Sequence, residues 1–217
     1  MSIQLKRLLH YLILNGELDG SKLFTERIFV CFARRRVKLK EWKLIDTERV
    51  YHSKYMSLFN DKVMLPTGQK ITYTRAELKD FVTVLPIIGN KIVMIEIFRY
   101  PANRLSLEIP SGYVENGEEP RECAIRELEE EAGYKAGKLR SLCWFHPWTR
   151  SIRKAHLFLA EDLTKGTQKP DETEQIEVKL LSTEEIKKKL ETNKITHAPT
   201  IIALQKYLLM QPDSVRR

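Results

Sequence analysis

Cysteine is scarce in this chain. Cys31, Cys123 and Cys143 lie far apart and form no C-x-x-C pair, which argues against a zinc knuckle or a secreted disulfide framework and suits a reducing cytoplasm. Long apolar runs are also missing. No stretch approaches the roughly 18 residues of a membrane-spanning helix, so no membrane partner is expected. The basic-apolar stretch "LKRLLHYLIL" is soon followed by Glu17 and Asp19, without the small-residue cleavage site of a secretory leader. Internal repeats and low-complexity tracts are lacking. Arg34, Arg35 and Arg36 have no aromatic-basic RNA motif beside them, which argues against nucleic acid as the partner.

What is present is a charge-rich globular composition, 42% apolar and 30% charged over 217 residues, enough for one substantial core. The chain carries a net +8, which favours anionic partners of some kind. Against that background one segment stands out. Between Glu108 and Glu131 nine acids face two bases, a local −7.

Residues 1–43 read as a basic N-terminal extension whose order the sequence leaves open, and 44–80 as an N-terminal β-element. Residues 81–211 read as the main domain and 212–217 as a tail. "RVYHSKYMSLFNDKVMLPTGQKITYTRAEL" alternates apolar and polar residues around a Pro66/Gly68 turn, and "FVTVLPI-GN-KIVMIEIFRY" is a second hairpin. Helical spacing occurs at 120–132, in "STEEIKKKLETN" and in "APTIIALQKYLLM". Strands with widely separated helices and no regular β-α alternation predict an α+β fold, an α/β/α sandwich around a mixed sheet.

Within the acidic segment Pro120 suits the first helical position and Gly133 the residue after the last. Ala124, Ile125, Leu128 and Ala132 mark the expected buried stripe. Glu127, Glu130 and Glu131 then share one side of the helix, close enough to repel. A hard divalent cation removes that repulsion, because Mg²⁺ binds carboxylate oxygens and commonly shares its shell with phosphate. Arg126 is placed to orient a neighbouring carboxylate. A plain solvated glutamate face is the alternative when the helix is considered alone.

Gly112, Glu118, Arg126, Glu127, Leu128, Glu130, Glu131 and Gly133 fit the pattern G-x5-E-x7-R-E-U-x-E-E-x-G-U at every fixed position. Tyr134 fills the last U, where an aliphatic residue is usual. A chance match is on the order of one in a million at average residue usage. The chain resembles a Nudix hydrolase. "FRYPANRLSLEIPSGYVENGEEP", "KPDETEQIEV" and "NKITHAPTIIALQKYLL" resemble the ADP-ribose pyrophosphatase branch, so the similarity spans about residues 48–209.

The resemblance implies hydrolysis of a nucleoside diphosphate sugar with two or three Mg²⁺ or Mn²⁺ ions. It makes Glu127 and Glu131 the main metal ligands and Glu130 a ligand or close support. Glu118 and the carbonyl of Ser111 stand near the metals. Arg126 becomes a tether, and Gly112 and Gly133 set loop geometry. The base is expected after the box, at Glu174 with Glu172 as the competitor. Arg99 and Glu108 match nucleotide-contacting positions, with Arg104 a further phosphate candidate. A homodimer through the N-terminal sheet is implied, with Tyr55 and Tyr73 comparable to base-stacking aromatics.

One departure bears on specificity. The branch has Pro-Gly in the loop beyond the box, whereas here Pro147 precedes Trp148, and Arg150 and Arg153 add positive charge. The alternatives are a broader pyrophosphatase, for GDP-mannose among others, and a non-catalytic Nudix-fold nucleotide-sensing module. The intact glutamate set argues against the latter.

Overall fold

The computed structural model of the protein describes residues 40–211. Apart from its last four residues, the N-terminal extension read over 1–43, with Arg34 to Arg36 and Cys31, lies outside them, as does the tail at 212–217.

β1 (Lys43–His52), β2 (Met56–Met64) and β3 (Lys70–Leu78) form a three-stranded sheet in that order, joined by turns too short for anything but antiparallel pairing. In the β2–β3 turn Gly68 takes φ +86° and donates its N–H to the Leu65 carbonyl over 2.9 Å, a backbone that favours glycine. Among the described residues, Leu44–Val63 and the chain from Lys70 onward belong to one compact unit, from which the Met64–Gln69 turn stands apart. Asp61 on β2 links the three strands, accepting from Thr47 Oγ1 on β1 and, over 2.6 Å, from Arg75 Nε on β3.

β4 (Phe81–Ile88), β5 (Lys91–Arg99), β6 (Arg104–Glu108), β7 (Ser111–Tyr113), β8 (Tyr134–Phe145), β9 (Ala155–Lys165) and β10 (Ile176–Ser182) form a seven-stranded sheet. Its main path is β10-β5-β4-β9-β8, with β6 on β5 and β7 on β4. β4 and β9 are parallel and the other pairings antiparallel, so the sheet is mixed. β4 and β5 share register only beside the Gly89–Asn90 turn, at Ile87 with Ile92 and Ile88 with Lys91. Beyond it β4 pairs with β7 and β5 with β6, and the Val84 N–H reaches the Pro110 carbonyl at 2.8 Å. Ser111 and Gly112 are thereby fixed where the sheet divides.

Three α-helices complete the described part: α1 (Pro120–Ala132), α2 (Thr183–Glu191) and α3 (Ala198–Met210). Two apolar cores lie on opposite sides of the sheet, and the period-2 alternation of the strands assigns residues to each. Val82, Val84, Val93, Ile95, Phe158 and Ala160 pack with Cys123, Ala124, Leu128 and Ala132 of α1. Leu85, Ile92, Met94, Leu157 and Leu159 pack with Ile186 of α2 and Ala203 and Leu204 of α3. Covered on both faces, β4 and β5 read as continuous apolar runs rather than alternating ones. The α/β/α arrangement expected from the sequence is present, together with the N-terminal sheet. β8 gave no clean strand signal because it is an edge strand, half exposed, and its Gly137, Lys138 and Arg140 interrupt the apolar alternation.

One correction concerns α1. Ile125 is exposed, and Cys123 joins Ala124, Leu128 and Ala132 in the buried face. Each residue advances 100° around a helix, and because Glu127 and Glu131 are also buried, the face centred on 124, 127 and 131 reaches back to 123 and leaves 125 on the flank.

Candidate active site

α1 begins and ends where its sequence dictates. Glu119 is the N-cap and completes a capping box with Glu122, Pro120 opens the first turn, and Gly133 closes the helix at φ +69°. Its C-terminal end holds Glu127, Glu129, Glu130 and Glu131, acids where the helix dipole opposes them. The segment after β9 satisfies the carbonyls there. Lys169 N–H donates to the Glu130 carbonyl at 2.9 Å, and Gln168 Nε2 to the Glu131 carbonyl at 2.8 Å. The acidic loop that follows, Asp171 to Glu174, is thereby fastened beside the glutamates of α1. The Glu174 N–H closes its turn on the Asp171 carbonyl at 2.9 Å.

Arg126 gathers three carboxylates. Its Nε and Nη2 donate to the two oxygens of Glu118 at 2.9 and 3.0 Å, and its Nη1 to Glu127 Oε1 at 2.6 Å and Glu130 Oε2 at 3.0 Å. A further bond from Nη2 to the Tyr113 carbonyl, 3.1 Å, joins α1 to β7. The guanidinium holds Glu118 far below the usual carboxylate range, at about 2, and is itself stabilised in its charged form, chiefly by Glu118. Glu131 is anchored differently, accepting the Ser111 N–H on Oε2 at 2.7 Å.

Burial opposes charge on the inner pair. It pushes Glu127 up to about 7 despite Arg126, with Glu130 and Glu174 adding repulsion. Glu131, 2% exposed, is raised well above the ordinary range by burial, then by Glu127 and Glu174. Glu174 is raised by burial and by Asp171. Carboxylates held together with shifted ionisation in a cleft mark functional sites.

These groups line a cavity of about 580 Å³. Of the residues expected from the sequence, Arg99, Ser111, Gly112, Arg126, Glu127, Glu130, Glu131 and Glu174 meet there. Glu108 and Glu118 stand behind it as partners of arginines. Glu108, 1% exposed, takes a two-pronged bond from Arg99, Nε to Oε1 at 3.0 Å and Nη2 to Oε2 at 2.7 Å.

The others lie apart from the lining. Glu172 is exposed on the acidic loop. Tyr55 is exposed with the Lys54 ammonium 5.6 Å from its ring. Tyr73 carries the Arg150 guanidinium at 4.6 Å. Arg104 donates to Thr196 Oγ1 at 2.6 Å, Trp148 is exposed, and Gly133 caps α1.

Phe81, Tyr113, Glu115, Arg153, Asp171 and His197 also line the cavity. Asp171 belongs to the acidic string and Arg153 to the basic loop already noted, but a lone histidine at 197 carries no signal in the sequence. His197 Nδ1 lies 2.9 Å from Thr200 Oγ1 and 3.2 Å from Glu108 Oε2. Burial lowers its proton affinity more than Glu108 restores it.

The donor set suits a hard divalent cation: carboxylate oxygens, crowded, partly buried, and short of compensating charge. The Glu127 carboxylate also occupies the space that a side chain on Gly112 would fill. Among the described residues no three Asp, Glu, His or Cys groups converge on one point as they stand. The reason is visible in the bonding, since Arg126 draws Glu127 and Glu130 toward itself and Ser111 holds Glu131.

A family model described as NUDIX domain matches residues 78–204. The chain is 36% identical to an ADP-ribose pyrophosphatase of Bacillus subtilis (strain 168), over 78% of this chain and 94% of that one. It is 35% identical to a methanol dehydrogenase activator of Bacillus methanolicus, over 80% of this chain and 96% of that one. Among solved structures, that of an ADP compounds hydrolase superposes with a TM-score of 0.70 over 78% of this chain and 93% of the other. At 22% identity it shares the fold.

Proposed function

The chain belongs to the NUDIX domain family, and from that premise we infer that it hydrolyses the diphosphate bond of ADP-ribose or a related nucleoside diphosphate sugar, giving a nucleoside monophosphate and a sugar phosphate. The observation that carries this reading is the meeting of Glu127, Glu130, Glu131 and Glu174 with Arg99 in one cavity.

Glu127 and Glu131 would hold a divalent cation, with Glu130 and the Ser111 carbonyl in support. Glu118, with both oxygens on Arg126, is given the role of tether. We take the ions to be Mg²⁺ or Mn²⁺, two or three in number. When bound, they polarise phosphoryl oxygens and offset the charge that develops on them. Glu174 is assigned as the base that takes a proton from the attacking water. The water oxygen bonds to phosphorus as the bridging P–O bond breaks, and the bridging oxygen leaves on the departing phosphate. Arg99, held by Glu108 through Nε and Nη2, keeps its Nη1 donors for phosphate.

We also propose a homodimer through the N-terminal sheet, supported by exposed Leu44, Ile45, Val50, Tyr51, Tyr55 and Met56. There Tyr55 and Tyr73 would meet the base. A cytoplasmic location is the corresponding proposal, supported by the free Cys123 and Cys143.

The test is release of phosphate-bearing products from ADP-ribose, ADP-glucose, GDP-mannose, UDP-glucose and ADP with Mg²⁺, beside a Glu131→Gln variant. Metal-dependent cleavage of an ADP-sugar that collapses in the variant is expected. A folded protein that turns over no member of the panel would return the binding-module reading.

A further inference from the structure

Three arginines line the cavity, and two of them are already paired with acids. Arg99 is held by both oxygens of Glu108, and Arg126 by Glu118, Glu127 and Glu130. Arg153 differs: among the described residues its guanidinium has no ion pair, and its buried Nε has no hydrogen-bond partner. What holds it is aromatic. The guanidinium carbon lies 4.3 Å from the Phe81 ring centroid and 5.0 Å from that of Tyr113, and both rings also line the cavity.

The backbone at Arg153 is fixed as well. Its N–H donates to Ser151 Oγ at 3.2 Å, and its carbonyl lies 2.9 Å from His146 Nδ1. Phe81 begins β4 and pairs with both Tyr113 of β7 and Ala155 of β9, so the residues around the guanidinium belong to the sheet. A buried N–H without a partner is uncommon in a folded protein and calls for an explanation. Guanidinium is weakly hydrated, stacks well on rings, and keeps its N–H edges available for two-pronged bonds to phosphate. A cation without a carboxylate, in a cavity otherwise crowded with them, is where an anionic ligand gains most.

We infer that Arg153 is a substrate-binding residue that receives a phosphate group of the diphosphate, a role that rests on the hydrolase reading above. It makes the basic loop between β8 and β9 a specificity element through Arg153 rather than Trp148, which is exposed and outside the lining. The ligand chemistry is a phosphate monoester or diphosphate, and the two halves of the substrate supply it from different ends.

The experiment is calorimetric titration of the full chain with Mg²⁺ and each product separately, AMP and ribose 5-phosphate. Wild type is compared with Arg153→Ala and Arg153→Lys, and Tm is recorded for all three. Binding needs no turnover, so hydrolysis of ADP-ribose by wild type, measured alongside, reports on the hydrolase reading independently. The expected result is that Arg153→Ala weakens one product about 10- to 100-fold and spares the other. Arg153→Lys restores part of the loss. Loss for ribose 5-phosphate assigns the residue to the sugar phosphate, and loss for AMP assigns it to the nucleotide. Unchanged affinity for both products overturns the inference and leaves Arg153 a packing residue for Phe81 and Tyr113. So does an equal loss of both with a lowered Tm, or a wild type that binds neither.

Discussion

A Cβ placed on Gly112 would lie 1.9 Å from Oε1 of Glu127. The loop from β7 and the helix that carries the glutamates therefore meet with no room for a methyl group. Gly112→Ala is expected to displace the Glu127 carboxylate, which Arg126 otherwise holds at 2.6 Å. A displacement of about 1 Å at a catalytic group costs roughly 100-fold in rate. Steady-state kinetics should show at least that loss in kcat. Because the obstructing atoms belong to the end of a side chain rather than to backbone, Tm should change little.

Glu131→Gln separates cation binding from folding. The side chain is 2% exposed, so removing its charge removes a desolvation cost, and an amide oxygen can still accept from Ser111. Metal-free variant should melt at or above the temperature of metal-free wild type. Excess Mg²⁺ should raise the Tm of wild type, since a ligand at about 100 times its Kd adds about 2.7 kcal/mol. The variant should show little of that increase. An equal response of both proteins to Mg²⁺ would remove Glu131 from the ligand set.

The two acids of the loop after β9 are expected to behave differently. Glu174 lines the cavity and Glu172 does not. Glu174→Gln should lower kcat by about 100- to 10,000-fold, the range of general acid-base contributions, without a comparable rise in KM. Glu172→Gln should remain within a few-fold of wild type. The reverse order would transfer the base to Glu172.

His197 gives a pH dependence of stability with a definite sign. Its folded pKa lies below the ordinary 6.5, because burial outweighs the pull of Glu108, and Arg99 adds repulsion. Above 6.5 neither folded nor unfolded state holds the proton, so the full stability is present. As pH falls below 6.5 the unfolded chain takes up a proton that the folded chain does not, and stability declines toward the lower folded pKa. Urea unfolding of wild type and His197→Gln across this window should show wild type losing more stability on acidification. Parallel curves would refute the assignment.

Much of the site was legible in the sequence because helical geometry is local. Glu127, Glu130 and Glu131 must share a side of α1 by spacing alone, and Pro120 and Gly133 set its ends. The two hairpins announced themselves by apolar runs around Pro66/Gly68 and Gly89–Asn90. Even locally the pattern had a limit, since four apolar positions did not reveal that Cys123 rather than Ile125 completes the buried face.

The rest depended on contacts between distant segments. Glu174 is distinguished from Glu172 by how the loop is fastened to the end of α1, through Gln168 to Glu131, 37 positions apart. Glu108 faces Arg99 and His197 only because β5 pairs with β6 and the chain returns to that place before α3. Arg150 bonds to Thr74 across 76 positions, and Arg153 sits among the aromatic rings of β4 and β7 instead of beside an acid. Spacing along the chain fixes which side chains share a helix face. Whether a charged side chain meets a partner, a cavity or solvent is decided by long-range packing, because burial and pairing are properties of the folded surroundings and are not written in any one segment.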